Sequence, residues 1–125
     1  MPTVRDVMRT DLIAVRPGTV VMDAAHAMFS GGGGSALVLD GGRLVGIFTE
    51  RDIMRALSRE SDAGRSSHVE RWMTADPVTI APDSTVGEAL DRMLAGHFRH
   101  LPVIEDDAVI GMVSMRDLAR SIAKK

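Results

Sequence analysis

The stretch HFRHLPVIEDDAVIGMVSMRD, residues 97–117, decides the fold, because it has a counterpart earlier in the chain. At an offset of 65 positions, residues 32–52 read GGGSALVLDGGRLVGIFTERD. The same register continues without a gap on both sides, so that residues 4–57 align with residues 69–122. Thirteen aligned positions hold identical residues, among them the final Arg-Asp of the two stretches. A register held over that span indicates a tandem duplication.

Each copy contains two segments with the period of a helix. Over residues 21–29 and 86–94, apolar side chains recur at i, i+3, i+4, i+7 and i+8, which predicts an amphipathic helix in each copy. The predicted N-caps are Thr19 and Ser84, and the predicted stops are Gly31 and Gly96. A second helix in each copy is predicted to begin near Thr49 or Ser114 and to run past Leu57 or Ile122.

Short apolar runs in each copy predict the strands. They lie at residues 12–15, 36–39, 44–48, 77–80, 101–104 and 109–113. The order of elements is therefore β-α-β-β-α, written twice, and the fold class is α+β. Met28 and Met93 are predicted to fill the core.

A copy of about 55 residues is marginal as an independent folding unit. We therefore expect the two copies to pack face to face about a pseudo-twofold axis and to form one module. The predicted boundaries are residues 1–60 for the first repeat, 61–67 for a linker and 68–125 for the second repeat. The linker prediction rests on residues 58–67, which hold four serines and no large apolar side chain.

The composition excludes several classes of protein. The 125 residues include no Cys, so disulfides, thiolate catalysis and Cys-ligated zinc are ruled out. The net charge of −2 and the 3% aromatic content give no support to nucleic-acid binding. The sequence has no apolar run long enough to cross a membrane and begins without the apolar core of a signal peptide, so we expect a cytoplasmic protein.

Four motifs carry a family resemblance. They are Met73–Val78 before a strand, His97–Val103 leading into the next, and the strand-to-helix segments Gly46–Asp52 and Gly111–Asp117. Each repeat resembles the CBS domain, and the tandem resembles a CBS pair, or Bateman module. The resemblance covers nearly the whole chain.

The resemblance implies a non-enzymatic regulatory module. Members of the family bind AMP, ADP, ATP or S-adenosylmethionine, with or without Mg²⁺, in clefts between the repeats. No other cofactor is implied. Asp52 and Asp117 would hold the ribose hydroxyls, and Thr49 and Ser114 would contact ribose or phosphate. A carboxylate suits a ribose cis-diol because it accepts two hydrogen bonds.

The implied sites take residues from both repeats. Ile47 and Met112 would wall the base, while Arg99 and His100 would meet phosphate. The stronger cleft is expected to comprise Thr19, Ala24, Arg99, His100, Met112, Ser114, Arg116 and Asp117. The weaker cleft is expected to comprise Ile47, Thr49, Arg51, Asp52, Ser84 and Ala89.

The expected inequality of the clefts rests on one departure from the family pattern. In the helix-to-strand segment where the second repeat has His97-Phe98-Arg99-His100, the first repeat has a run of four glycines, residues 31–34, which offer no side chain to a phosphate. We interpret the glycines as a flexible helix-to-strand loop.

Each candidate residue also has a purely structural interpretation. Thr49 with Asp52, and Ser114 with Asp117, match a helix capping box. Arg99 and His100 could form a surface pair, and the two histidines of residues 97–100 lack a third ligand, so no metal site is predicted. The sequence shows no catalytic constellation, so we predict that the protein is not an enzyme.

The expected partners are an adenosine-containing ligand, a second copy of the chain and a regulated protein that the sequence does not identify. The first alternative is a ligand-free dimerisation or docking module. The second is a nucleic-acid-binding protein.

Overall fold

The computed structural model describes residues 2–123, which divide into two compact units. The Asp52 unit consists of Ile13–Pro77. The Asp117 unit joins the chain up to Leu12 to the chain from Val78 onward. The opening segment of each repeat therefore folds with the remainder of the other repeat, an exchange that the periodicity did not predict.

Helices and strands are interspersed along the described part of the chain. The helices are α1 (Val4–Val7), α2 (Val21–Gly31), α3 (Glu50–Arg59), α4 (Ala63–Ser66), α5 (Val69–Trp72), α6 (Val86–Gly96) and α7 (Met115–Ala123). The strands are β1 (Ala14–Val15), β2 (Ser35–Asp40), β3 (Arg43–Thr49), β4 (Thr74–Ala75), β5 (His100–Glu105) and β6 (Ala108–Ser114). The α+β class is confirmed.

The Asp52 unit contains a sheet in the order β1-β2-β3-β4. Strands β2 and β3 form an antiparallel hairpin whose turn holds Gly41 and Gly42, both with positive φ. Strand β1 lies parallel to β2, and β4 pairs antiparallel with β3 through Gly46 and Ala75. The core against this sheet includes Phe48 of β3, Val21 and Met28 of α2, and Val69 and Trp72 of α5.

The Asp117 unit is built on the antiparallel hairpin of β5 and β6. Isolated bridges extend this hairpin on both sides, from Arg9 to Met112 and from Ile80 to Val103. The core beneath it includes Val4, Val86, Met93, Leu101 and Leu118. Val4 is fully buried, so the N-terminal helix α1 is part of this core.

The predicted caps of α2 and α6 were wrong by one residue. The N-caps are Val20 and Thr85, because the Thr19 hydroxyl instead accepts a hydrogen bond from the Arg16 amide at 3.1 Å, and Thr85 forms a complete capping box. The two glycines predicted as stops are the last helical residues. The left-handed residues that end the helices follow them, Gly32 in one repeat and His97 in the other.

The first predicted strand of each repeat was too long. In the first repeat only Ala14–Val15 of residues 12–15 is a strand. In the second, residues 77–80 contribute only the isolated bridge of Ile80 to Val103, in which the Ile80 amide donates to Pro102 and the Ile80 carbonyl accepts from Ile104. In the first repeat the Leu37 amide donates to the Ile13 carbonyl, but the aligned residue of the second repeat is Pro102, which has no N–H to donate, and this accounts for the shorter pairing.

Part of the serine-rich segment between the repeats is helical. Helix α4 lies within it, and both Ala63 and Gly64 are buried. A Cβ on Gly64 would approach Met22 to 3.1 Å, so the small residues there permit close packing against α2. The boundaries 1–60, 61–67 and 68–125 stay a prediction, and their outermost residues Met1, Lys124 and Lys125 lie outside the described residues.

Within residues 2–123, no helix is both long and apolar enough to span a bilayer.

Candidate functional site

Asp52 lies in the first turn of α3, where β3 ends and the helix begins. Its Oδ2 accepts hydrogen bonds from the Thr49 amide at 2.8 Å and from the Thr49 hydroxyl at 3.2 Å. Its Oδ1 accepts from Arg55 Nη1 at 2.9 Å. The side chain is almost fully buried, and this burial raises the pKa of Asp52 although the bonds from Thr49 and Arg55 oppose the rise.

Asp117 occupies the same position in α7. Its Oδ2 accepts from both the amide and the hydroxyl of Ser114, each at 2.9 Å, and the Asp117 amide donates to Ser114 Oγ at 3.1 Å. The side chain is only half-buried. Both predicted capping boxes are therefore formed, and each places a carboxylate beside the free amides of a helix N-terminus.

The Asp117 unit brings several predicted ligand residues close to Ser114. In the register of β5 and β6, His100 lies opposite Ser114, and the Arg99 carbonyl accepts from the Met115 amide at 2.8 Å. Arg99 and Arg116 are exposed, whereas His100 and Met112 are half-buried. Arg9 is also near, because its amide donates to the Met112 carbonyl at 2.8 Å and its carbonyl accepts from the Met112 amide at 2.9 Å. A hydrogen bond with Asp11 raises the pKa of Arg9, and the Asp117 charge contributes less to the same rise.

In the Asp52 unit, the corresponding residues also surround the start of α3. Ile47 is buried in β3, and Thr49 lies opposite Ser35. The Glu50 amide donates to the Gly34 carbonyl at 3.1 Å, so the glycine segment meets the N-terminus of α3 through its backbone. Arg51 is exposed.

The remaining predicted residues fall in the opposite unit from the carboxylate they were assigned to. Thr19 and Ala24 belong to the Asp52 unit, and Ser84 and Ala89 belong to the Asp117 unit. Ala24 and Ala89 are fully buried, and Thr19 and Ser84 are half-buried. Their assignment to ligand sites stays a prediction.

Comparison with known proteins decides the family. Residues 4–59 and 69–124 each match the CBS domain. The chain belongs to the CBS domain family. The two matched segments begin at the first residues of the copies found by internal alignment, and each contains one of the carboxylates at a strand-to-helix junction, Asp52 or Asp117.

Similar CBS proteins occur in distant organisms. An uncharacterised 17.7 kDa protein of Acidianus ambivalens is 42% identical over 122 residues, which cover 95% of this chain and 72% of that protein. A meiotically up-regulated protein of Schizosaccharomyces pombe is 42% identical over 106 residues, 83% of this chain, but the match spans only 14% of its own length.

Solved structures confirm the fold of the CBS pair. The CBS domain pair of protein MJ0100, solved in complex with 5′-methylthioadenosine and S-adenosyl-L-methionine, superposes with a TM-score of 0.90. It is 26% identical, and the match covers 100% of this chain and 99% of that one.

An open depression of about 390 Å³ lies in the Asp52 unit of this CBS chain, beside β1. It is lined by Ala14, Val15, Arg16, Thr19, Leu39, Gly41 and Gly42. Thr19, which is not the N-cap that the sequence predicted, therefore lines a surface cavity. The other lining residues were not predicted as site residues, because no sequence motif distinguishes them.

Metal-ligating side chains do not cluster in the described part of the CBS chain. Residues 2–123 hold no group of three or more His, Cys, Asp or Glu side chains arranged to bind a metal ion. His97 has a left-handed backbone and an exposed side chain at the end of α6, which gives this histidine a structural role as the C-cap.

Proposed function

We propose that this protein is a non-enzymatic regulatory module that binds an adenosine-containing ligand, AMP, ADP, ATP or S-adenosylmethionine. Ligand occupancy would alter the geometry of the module or of a homodimer, and a partner protein would respond to that change. The ligand can favour one geometry over another only if it binds that geometry more tightly, and the shift is limited by the difference between the two affinities.

The observation that carries the proposal is the repeated placement of Asp52 and Asp117. Each carboxylate lies three residues inside a helix that begins at a strand end, with a hydroxyl residue at the N-cap. A ribose cis-diol donates hydrogen bonds to such a carboxylate, and nearby amides favour an anionic phosphate. The two ligands in the MJ0100 complex both contain adenosine, which supports this ligand class.

We also propose that each site is completed from the other repeat, by Thr19 and Ala24 for Asp117 and by Ser84 and Ala89 for Asp52. Thr19 borders a cavity, which leaves its surroundings accessible to a ligand. Large substitutions at the buried alanines would test this, provided that the variants remain folded.

A thermal-unfolding series tests the proposed function. AMP, ADP, ATP and S-adenosylmethionine are each added to the wild-type protein and to a double variant, Asp52→Asn with Asp117→Asn. A ligand at about a hundred times its Kd should add about 2.7 kcal/mol to the free energy of unfolding, several degrees in Tm for this size. The double variant should lose the shift. Wild-type protein that is folded yet responds to none of the four compounds contradicts the proposal.

A matched ligand sharpens the test of the ribose contact. 2′-Deoxy-AMP keeps the base and phosphate but lacks one hydroxyl of the diol. A hydrogen bond to a charged group contributes about 1.5–3 kcal/mol, so 2′-deoxy-AMP should bind about 10- to 150-fold more weakly than AMP. Equal affinities would show that the carboxylates do not hold the ribose.

One observation favours the second candidate function, a dimerisation or docking module without a ligand. Apolar side chains at equivalent positions of the two repeats are exposed: Phe29 by 90% and Leu94 by 57%, Leu57 by 46% and Ile122 by 48%. Exposed apolar residues repeated in this way suit an interface.

Sedimentation velocity tests this second candidate. The double variant Leu57→Glu with Ile122→Glu should shift a dimer of the wild-type protein to monomer. Arg43→Glu, a charge change at the exposed start of β3, is the control. A wild-type protein that sediments as a monomer at all concentrations contradicts dimerisation.

A further inference from the structure

A chain of contacts in the Asp52 unit holds Arg55 against Asp52. Besides its bond to Asp52, Arg55 Nη1 donates to the Trp72 carbonyl at 3.3 Å, and its guanidinium lies 5.9 Å from the centre of the Trp72 ring. Arg71 lies over the same ring at 4.9 Å and forms an ion pair with Glu60. Two guanidinium groups therefore contact Trp72, which is itself only 4% exposed.

The Asp117 unit has no tryptophan at the position that corresponds to Trp72, so its arginine is not held in the same way. In the repeat register, Arg55 aligns with Arg120, but Trp72 aligns with Val7 and Arg71 aligns with Asp6. Val7 offers no ring for a guanidinium, and the Asp6 carboxylate accepts from its own N-cap residue, Thr3. Among residues 2–123, neither Arg120 nor Asp117 takes part in an ion pair.

The difference affects what each carboxylate can bind. A ribose diol that approaches Asp52 competes with a charge-assisted hydrogen bond from Arg55, and displacement of Arg55 also breaks its contacts with Trp72. Within residues 2–123 no guanidinium group is hydrogen-bonded to Asp117, although the charge of Arg9 is near enough to interact with it, and the Asp117 side chain is more exposed than that of Asp52.

We propose that Trp72 is a positioning residue that holds Arg55 on Asp52 and so weakens the Asp52 site for ribose relative to the Asp117 site. This inference rests on the proposed function. It assigns the inequality of the two sites to a specific contact, in addition to the glycines of residues 31–34.

Titration calorimetry with AMP tests the inference one site at a time. In an Asp117→Asn background, which leaves the Asp52 site, Arg55→Gln should raise the affinity about tenfold, the amount expected for loss of one competing charge-assisted bond. Trp72→Val should raise it in the same direction, and Trp72→Phe, which keeps a ring, should restore most of the weaker wild-type affinity. The matched control is Arg120→Gln in an Asp52→Asn background, which should leave the affinity of the Asp117 site unchanged.

Fluorescence gives a readout that a purely structural role would not produce. Trp72 is the only tryptophan in the chain, so its emission reports on the guanidinium groups around it. AMP binding at the Asp52 site should change this emission as Arg55 leaves the ring, whereas binding at the Asp117 site in Asp52→Asn protein should leave it constant.

The outcomes separate this inference from the proposed function. If AMP binds the wild-type protein but Arg55→Gln leaves the Asp52 site unchanged or weakens it, only the inference is wrong. The same holds if Arg55→Gln and Arg120→Gln have equal effects. If folded wild-type protein binds neither AMP nor S-adenosylmethionine, the proposed function fails and the inference with it.

Discussion

Met8 packs over Gly111 so closely that a Cβ on the glycine would lie 2.5 Å from the methionine sulfur. Met73 occupies the same place over Gly46. These residues are identical between the repeats, and each contact joins the opening segment of one repeat to β3 or β6 of the other. The exchange of opening segments therefore depends on a glycine in each hairpin.

We predict that Gly111→Ala lowers the free energy of unfolding by about 1–3 kcal/mol, because the new methyl group would overpack the site. The Arg9 carbonyl, 3.0 Å from the added Cβ, is backbone and yields little. Chemical denaturation measures the change. Combining it with Met8→Ala should recover part of the loss, since the two side chains compete for one space.

Gly87→Ala is the control for this prediction. Gly87 lies in α6, and its nearest neighbour would be 3.8 Å from an added Cβ. Alanine should stabilise the helix there by about 0.5–1 kcal/mol. A Gly111→Ala protein as stable as the wild type would show that Met8 does not pack on this glycine.

The cap of α6 gives a second prediction. The Thr85 hydroxyl accepts from the Glu88 amide at 3.1 Å, and the Glu88 carboxylate accepts from the Thr85 amide at 2.9 Å. Thr85→Ala should cost about 1 kcal/mol of stability by thermal unfolding, the usual loss for a Thr cap. Ser84→Ala, at the neighbouring position that was predicted as the cap, should change stability by less than about 0.5 kcal/mol. A larger loss at Ser84 than at Thr85 would contradict the observed cap.

The two hairpin turns give a third prediction. Gly41 and Gly42 have φ of 59° and 84°, and the second repeat places Asp106 and Asp107 in the same conformation with φ of 52° and 64°. Asp107→Gly should raise the stability by about 0.5 kcal/mol, because an Asp-Gly pair suits this type of turn.

The reverse change provides the comparison. Gly42→Ala should destabilise the protein by about 1 kcal/mol, since a residue with a Cβ is strained at positive φ even though the space around Gly42 is open. Chemical denaturation of both variants checks the pair, and effects of the same sign would contradict it.

The burial of Asp52 predicts a specific dependence on pH. Burial raises the pKa of Asp52 above its ordinary value of 3.8, so the folded protein binds this proton more tightly than the unfolded chain does. Between the ordinary and the raised pKa, the contribution of Asp52 to the free energy of unfolding therefore falls as the pH rises.

Comparison with an isosteric variant isolates this contribution. The Asn side chain of Asp52→Asn does not titrate. The stability of the wild-type protein relative to this variant should therefore decline as the pH rises from 3.8 to the raised pKa of Asp52. Denaturation curves at several pH values measure the difference, and carboxyl NMR locates the pKa. A relative stability that increases with pH would contradict a raised pKa for Asp52.

Local patterns were enough to predict much of this structure. Helices α3 and α7 begin next to Thr49 and Ser114, as predicted, because a capping box joins residues only three apart and can be recognised in the sequence. The hairpins were also predicted, since two short apolar runs separated by turn residues specify them over a short stretch. Local spacing also predicted the capping boxes of Asp52 and Asp117, whereas their role as candidate ligand residues came from the resemblance to the CBS domain.

Several short-range features were missed because their local signals are brief or ambiguous. Helices α1 and α5 have four residues each, too few for a periodic signal. Thr19 was predicted as the N-cap of α2, but its hydroxyl accepts a hydrogen bond from the Arg16 amide in the preceding turn. At the start of α6 the prediction of Ser84 as the cap was wrong although a local signal favours Thr85, since Thr85-Val86-Gly87-Glu88 matches a capping box.

The sequence by itself determined that the chain is a duplicated α+β protein of the CBS type, with a capping-box carboxylate in the helix that follows the hairpin of each copy. Only the tertiary structure decided that the opening segments are exchanged and that Arg55 is held on Asp52 beside Trp72, 17 residues away. The physical reason is that capping and hairpin formation are local, whereas burial and side-chain partners depend on which distant segments pack together.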